Sequence, residues 1–183
     1  MAYVKFLIFN IGNRKYAIDL VHINGTEQGY NIIPFPDAPE CVEGLINLRG
    51  KPVPVYSLRE RFGLDKKIDD PGKSVLLART SGIMIAYEVD SVDCIHEMDN
   101  KDIKEMPRMA SNDETLFLNR VIQIGKDIVV VVDVNKVLSN EAIEKIEQLI
   151  EERTEAERKA EEERKAAELA AKEAELAKEE NDD

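Results

Sequence analysis

The sequence predicts a mainly β protein with a charged helix at its C-terminal end, and two observations carry that expectation. Across residues 3–134, β-branched and aromatic runs recur between turn signals, which is the pattern of short strands. From Ser139 onward the material changes: 45 residues hold 17 acidic and 8 basic side chains, with no Pro, Gly, aromatic, Cys or His. Strands at this spacing, with only one or two helical turns among them, indicate barrels or sandwiches rather than an alternating α/β sheet.

Taken in order, Tyr3 to Phe9 is nearly all apolar and is expected to be buried on both faces. Asn10-Ile11-Gly12-Asn13 turns the chain, and Lys15 to Ile23 resumes as a strand with Tyr16, Ile18 and Leu20 on one face. The stretch Ile32 to Pro39 holds three prolines, which remove three ladder donors, so it reads as a fixed extended connector. Val42 to Leu48 and Lys51 to Tyr56 flank Arg49-Gly50 as a second hairpin, with Pro52 and Pro54 turned to one edge. Ser57-Leu58-Arg59-Glu60 has capping-box spacing, and Gly63 can end the short helix in the left-handed conformation.

After the polar linker Asp65 to Gly72, Ser74 to Arg79 and Ile83 to Val89 form a third hairpin, and Asp93 to Met98 follows as a strand. Asp99 to Glu114 is a long polar segment in which Ile103, Met106, Pro107 and Met109 are isolated apolar points. Arg120 to Ile124 and Ile128 to Val132 close a fourth hairpin over Gly125-Lys126-Asp127.

From Asn140 the period becomes helical. Ile143, Ile146, Leu149 and Ile150 make a stripe able to dock on the strands. Beyond Arg153 the large apolar residues thin to Leu169 and Leu176, too few for a coiled coil. Opposite charges at i,i+4, Glu141 with Lys145, Glu155 with Lys159, Glu161 with Lys165 and Glu168 with Lys172, support a solvated helix. The domains expected are therefore 1–138, one globular unit whose two subdomains divide near 65–73, and a helix over 139–183. The N-terminal strand is expected to pack with the second subdomain.

The charge follows the same division. Of a net −12, the residues from Ser139 onward carry −9, leaving −3 on the first 138. An acidic balance with no Lys or Arg block excludes a nucleic-acid footprint. No signal-peptide pattern or membrane-length apolar run is present, so the chain is expected in the cytoplasm without membrane insertion. Cys41 and Cys94 read as reduced, mostly buried thiols.

Enzymatic signatures are lacking. Gly72-Lys73-Ser74 ends like a phosphate loop, but Lys67 stands where its first glycine belongs. Cys94 and His96, with His22 and Cys41, lack the spacing of a zinc site. Glu88, Asp90 and Asp93 read as solvated strand ends rather than paired acid and base. No catalytic residue, cofactor or metal is expected.

The run from Gly44 to Leu64, GLINLRGKPVPVYSLRERFGL, resembles the signature of the CheW family, the bacterial chemotaxis coupling proteins. Tyr16-Ala17-Ile18-Asp19, Val89-Asp90-Ser91-Val92 and Ile128 to Leu138 are similar to further segments of that family, so the likeness covers residues 3–138. The resemblance implies two five-stranded, SH3-like β-barrel subdomains around a shared hydrophobic core. It implies an adaptor, not an enzyme, that links the cytoplasmic tips of chemoreceptors to the histidine kinase CheA in membrane-associated arrays.

By the same resemblance, Ile23, Arg49, Val75, Ala86 and Ile95 are the receptor-binding candidates. An apolar groove of this kind suits a helical hairpin, although Ile23, Val75, Ala86 and Ile95 also read as ordinary core. Lys104, Pro107, Arg108 and Met109 fall in the family loop that meets a kinase regulatory domain of the same fold, or other CheW copies, in rings. Two positions depart from the family. Gly25 stands where a carboxylate is expected near Arg49, with Glu27 as its nearest substitute, and Ala86 replaces a common glycine. An alternative reading is a divergent array scaffold whose C-terminal helix orders or spaces neighbouring units. A small-molecule or enzymatic barrel and a free-standing piece of the kinase are further, lesser readings.

Overall fold

The structure, a computed structural model, describes residues 3–65, 73–106 and 115–179. Eleven strands are formed among them: β1 Tyr3–Ile11, β2 Arg14–Asp19, β3 Ile23–Gln28, β4 Val42–Leu48, β5 Lys51–Ser57, β6 Ser74–Thr80, β7 Ile83–Val89, β8 Ser91–Asp99, β9 Lys104–Glu105, β10 Leu118–Ile124 and β11 Asp127–Val132. Among the described residues the helices are α1 Leu58–Arg61, α2 Val134–Val137 and α3 Asn140–Glu179. The chain divides into two compact units, Met1–Glu147 and Gln148–Asp183.

The strands make two sheets. One has six strands in the order β8-β1-β2-β11-β10-β9, and the other has five in the order β3-β6-β7-β5-β4. The N-terminal strand thus pairs with β8 as well as with β2. The expected division near residues 65–73 does not separate the sheets, because β5 and β6 on either side of it both belong to the five-stranded one. The crossings lie elsewhere, at residues 20–22 and at Asp90.

The first crossing explains why the strand expected from Lys15 to Ile23 is broken. The Asp19 carboxylate accepts from Val21 N and caps a 3-10 turn, Leu20–His22, which carries the chain from β2 into β3. Half of the expected capping box forms: Ser57 Oγ accepts from Glu60 N, while Ser57 N donates to Cys41 O at 2.8 Å across the sheet instead of to the Glu60 side chain, and Gly63 sits at φ 72° with its N–H on Glu60 O.

The sheets are not closed barrels, which corrects the two five-stranded barrels implied by the resemblance. Among the described residues no ladder joins β8 to β9 or β3 to β4. β9 has two residues and offers no long partner edge. Beside β4 runs the proline connector, held by a single bridge in which Ile33 N donates to Leu45 O at 2.8 Å and Leu45 N to Ile33 O at 2.9 Å. This close approach needs Gly44, at φ 148°, since a Cβ there would run into Ile33 O. Pro52 and Pro54 shape the other side of β5: its parallel ladder to β7 begins at Val55, where N–H donors resume.

Each sheet has its own apolar cluster. Phe6, Ile8, Ala17, Met98, Ile122, Val129 and Val131 fill the six-stranded sheet. Ile46, Val53, Val55, Val75, Leu77 and Ala86 fill the five-stranded one, with Tyr30 and Ile32 of the connector packed against them. An aromatic chain links elements of both sheets: Phe9 to Tyr16, Tyr16 to Phe62 and Phe62 to Phe117, with the Arg61 guanidinium over the Phe117 ring at 4.5 Å. The hydroxyls of Thr80 and Tyr87, 2.5 Å apart, meet Val134 O in the same region.

α3 starts on a Ser139 cap, whose Oγ accepts from Ala142 N at 3.2 Å. Its first turns bury Ile143 and Ile146 in the domain unit, which is why that unit continues past Leu138 to Glu147. Residues 151 and 152, and then 154–172, are exposed. Glu161 and Lys165 close an ion pair at 2.8 Å, and Arg153–Glu157 and Arg158–Glu162 add two more. The other expected pairs, Glu141–Lys145, Glu155–Lys159 and Glu168–Lys172, do not close.

Candidate docking surface

The surface begins where the two sheets meet along the chain. On β1, Leu7 faces Ile95 of β8 on one side and Ile18 of β2 on the other. Leu7 and Ile18 are buried, but Ile95 lies on the edge strand and is 58 % exposed. Two residues past Ile18 the chain enters the 3-10 turn, where Val21 is 79 % exposed, and then reaches the half-buried Ile23 at the start of β3. Tyr3, Val4, Lys5, Asp19, Leu20 and Val21 line a depression of about 460 Å³ beside this row. Apolar side chains from both sheets are therefore open to solvent near the crossing. Lys5–Glu97 at 3.3 Å and Lys15–Asp93 at 2.7 Å flank it with exposed ion pairs. The Asp93 hydrogen bond and charge push the Lys15 ammonium above its ordinary value.

The five receptor-binding candidates fare differently. Ile23 and Ile95 offer surface. Val75 and Ala86 do not, because both are fully buried in the five-stranded sheet's own cluster; they can shape a groove from beneath but cannot touch a partner. Ala86 pairs with Leu77, and Val75 with Glu27 and Glu88. Arg49 is exposed at φ 53° and, with Gly50 at φ 82°, makes the two-residue turn between β4 and β5. Asn47 Oδ1 accepts from Gly50 N at 2.7 Å and fixes that turn. The Arg49 guanidinium pairs with no described residue, and Glu27 does not replace the missing carboxylate as its partner.

Of the kinase and ring candidates, Lys104 is exposed on β9, while Pro107, Arg108 and Met109 lie outside the described residues. Lys104 stands at the rim of a cleft of about 770 Å³ at the open side of the six-stranded sheet. Met98, Ile122 and Ile128 give this cleft apolar walls, and Asp99, Lys101 and Asp102 surround it with charge. The Lys101 N–H bound to the Asp99 carboxylate, reinforced by the Lys101 ammonium, holds Asp99 below its ordinary range.

Several readings from sequence need correction. Tyr3 is 59 % exposed rather than buried on both faces, since the strand's fully enclosed part begins at Phe6. Cys41 is buried, and burial pushes its thiol up, but Cys94 is exposed on β8. Glu88 is not a solvated strand end: it is buried, with Lys73 Nζ on Oε1 at 2.8 Å and the Tyr30 hydroxyl donating to Oε2 at 2.9 Å. Burial first, and then the Glu88 charge, raise the Tyr30 phenol far above its ordinary value. Asp90 likewise pairs with Arg59 at 2.7 Å. Among the described residues no group of three or more His, Cys, Asp or Glu is placed to hold a metal ion. The exposed Tyr3 and Val21 were missed, and the signal available was Asp19, whose capping chemistry ends the alternation before Val21.

A family profile described as the CheW-like domain matches residues 5–142. The chain belongs to the CheW family. Its members are chemotaxis scaffold or adaptor proteins without catalytic activity. The CheW-like domain is 27 % identical over 137 residues to the chemotaxis protein CheW of Klebsiella aerogenes, spanning 75 % of this chain and 82 % of that one. It is 34 % identical over 88 residues to the chemotaxis protein CheW of Thermotoga maritima, 48 % of this chain and 58 % of that one. In fold it is similar to the crystal structure of the scaffolding protein TtCheW from Thermoanaerobacter tengcongensis, with a TM-score of 0.70 at 22 % identity, covering 77 % of this chain and 96 % of that one. Much of α3 lies beyond the CheW-like match.

Proposed function

We infer that this CheW-like protein couples chemoreceptor cytoplasmic tips to the histidine kinase CheA, working at the cytoplasmic face of membrane receptor arrays. No helix among the described residues is long and apolar enough to cross a membrane, and attachment to the array runs through protein partners. The observation that carries the reading is that the exposed Val21 and Ile95 and the half-buried Ile23 come from the two sheets and the turn between them in a CheW-like domain. An amphipathic receptor hairpin lays its apolar face on such a row. Arg49, with no partner among the described residues, receives a carboxylate from it. Lys104, Pro107, Arg108 and Met109 serve the second contact, with the kinase regulatory domain or with other CheW copies in rings, and the apolar cleft beside Lys104 supplies buried area there.

Co-sedimentation of the full chain with a chemoreceptor cytoplasmic fragment and with CheA tests this. Binding to both is expected, with Ile95→Glu losing the receptor and keeping the kinase. Failure to bind either one at tens of micromolar, on the order of a −6 kcal/mol interaction, overturns it. A second reading concerns α3, which continues through Glu179 although the family match ends at 142. In that reading the helix orders or spaces neighbouring array units. Truncation after Leu149 then changes array spacing in electron cryotomograms while kinase binding persists, and unchanged arrays count against it.

A further inference from the structure

Asp90 occupies the residue between β7 and β8, so it is where the chain leaves the five-stranded sheet for the six-stranded one. Its surroundings come from both. Asp90 Oδ2 accepts from Gly12 N, in the β1–β2 turn, at 2.7 Å, and Asp90 N donates to Asn10 O at 3.1 Å. The same Oδ2 meets Arg59 Nη1 at 2.7 Å, and Arg59 belongs to α1, which continues directly from β5 of the other sheet. The two side chains keep only 17 % and 10 % of their surface, so the pair is largely shielded from water. Arg59 is further fixed by its Nε donating to Asp65 O at 2.5 Å, and Asn10 Nδ2 reaches Ser91 Oγ at 3.0 Å at the start of β8.

From this anchor β8 reaches Ile95 five residues on. Between them lies a bulge: Phe9 faces Val92 but Ile8 faces Cys94, which leaves Asp93 as the extra residue. The register that sets Ile95 opposite Leu7 is therefore counted from an end that Arg59 and Gly12 hold together. Ile23 is tied to the other side of the joint through β3 and β6.

We propose that the Arg59–Asp90 pair is a positioning latch: it sets the orientation of the two sheets and hence the spacing of Ile23 and Ile95 across the docking row. The latch rests on the proposed receptor contact for its functional consequence, but not for its existence. Neither residue touches the partner. The bond that matters is charge-assisted and shielded, and its loss leaves a mostly buried charge without its counterion.

The test uses the full chain and three variants. Asp90→Asn keeps the shape and an acceptor for Gly12 N but removes the charge. Arg59→Lys keeps the charge. Val131→Ala weakens the six-stranded sheet's cluster without touching the joint. Binding to a chemoreceptor cytoplasmic fragment, thermal midpoint, and the Ile23 and Ile95 methyl NMR shifts of the free protein are read together.

The expectation is that Asp90→Asn weakens receptor binding about tenfold, the equivalent of one charge-assisted hydrogen bond, and moves both methyl resonances. Arg59→Lys is expected to keep most of the wild-type affinity. Val131→Ala lowers the midpoint yet leaves affinity and both methyl shifts near wild type. Equal affinity loss in Asp90→Asn and Val131→Ala reduces the pair to a stability contact and overturns the proposal, as do unmoved methyl shifts in Asp90→Asn. Absence of receptor binding by the wild-type chain defeats the coupling function instead, and the methyl shifts still decide the latch.

Discussion

The domain and the distal helix are ordered by different physics. In residues 3–147 structure depends on partners far apart in sequence: β1 pairs with β8, β2 lies beside β11, and buried Glu88 is satisfied by Tyr30, 58 residues away. In residues 148–179 the ordering visible in the structure is local, made of backbone hydrogen bonds and i,i+4 ion pairs on exposed side chains. The difference teaches that one kind of substitution has two meanings in this chain. A side chain removed from the domain takes a shared environment with it, whereas one removed from the helix takes only itself.

The largest break in that comparison is a large-to-small change. Phe9 is fully buried and its ring stacks on Tyr16, so Phe9→Ala is expected to cost about 3–5 kcal/mol. Leu169 in α3 is 61 % exposed, and Leu169→Ala is expected to stay within about 0.5 kcal/mol. Denaturant unfolding followed by tyrosine fluorescence for the domain and by 222 nm circular dichroism for the helix reads both. A Leu169→Ala effect of several kcal/mol would show that the helix has a packing partner.

How much of this was legible follows the same line. The Ser57 cap, the Gly63 stop and the start of α3 were readable because their chemistry spans four residues or fewer, whereas the Ser57 N–H went to the distant Cys41. Sheet membership was not, because nothing in the hydrophobic alternation of β2 announces that Asp19 will cap a turn and send the chain to the other sheet. Glu88 and Asp90 were misread as solvated because burial is decided by Lys73, Tyr30 and Arg59, which no local pattern connects to them. The candidate surface divides likewise. The matched motifs named Ile23, Val75, Ala86 and Ile95 alike, but only strand position separates the edge residue Ile95 from Val75 in the interior of its sheet.

Ion pairs give the next largest contrast. Lys73→Met leaves the Glu88 carboxylate, 4 % exposed at its side chain, without its cation, and is expected to cost about 3 kcal/mol. Glu161→Gln removes a pair of similar length from the exposed helix and is expected to leave helicity unchanged within error. Thermal unfolding of both variants checks the difference, and equal midpoints would erase the distinction between shielded and exposed charge.

Alkali separates the regions without mutation. Burial raises the Tyr30, Tyr56 and Tyr87 phenols above their ordinary value of 10.0, and the distal helix has no tyrosine. These groups stay protonated in the folded domain while the unfolded chain ionises above pH 10, so the unfolded state binds fewer protons and stability falls as pH rises. For Tyr87, which is fully buried, the loss is about 1.4 kcal/mol per pH unit from there until its folded-state phenol ionises. Tyrosinate absorbance at 295 nm should rise together with loss of the domain's near-ultraviolet signal. Ionisation of all five tyrosines near pH 10 with the domain still folded would contradict the burial.

The smallest expected effect is the sharpest test of where the two regimes meet. Ile146 is fully buried and Ile143 nearly so, whereas side chains past Glu147 belong to the other compact unit. A chain ended after Glu147 should therefore unfold at the wild-type midpoint, within about 0.5 kcal/mol, while losing the ellipticity of the distal helix. The sign of any residual shift is informative. Of the net −12, residues 148–183 carry −7, and their removal takes away long-range repulsion, so a small rise in stability at low salt that vanishes at 1 M salt would be electrostatic. A salt-independent fall would mean instead that the distal helix supports the domain through packing, and the boundary between non-local and local order would have to move beyond Glu147.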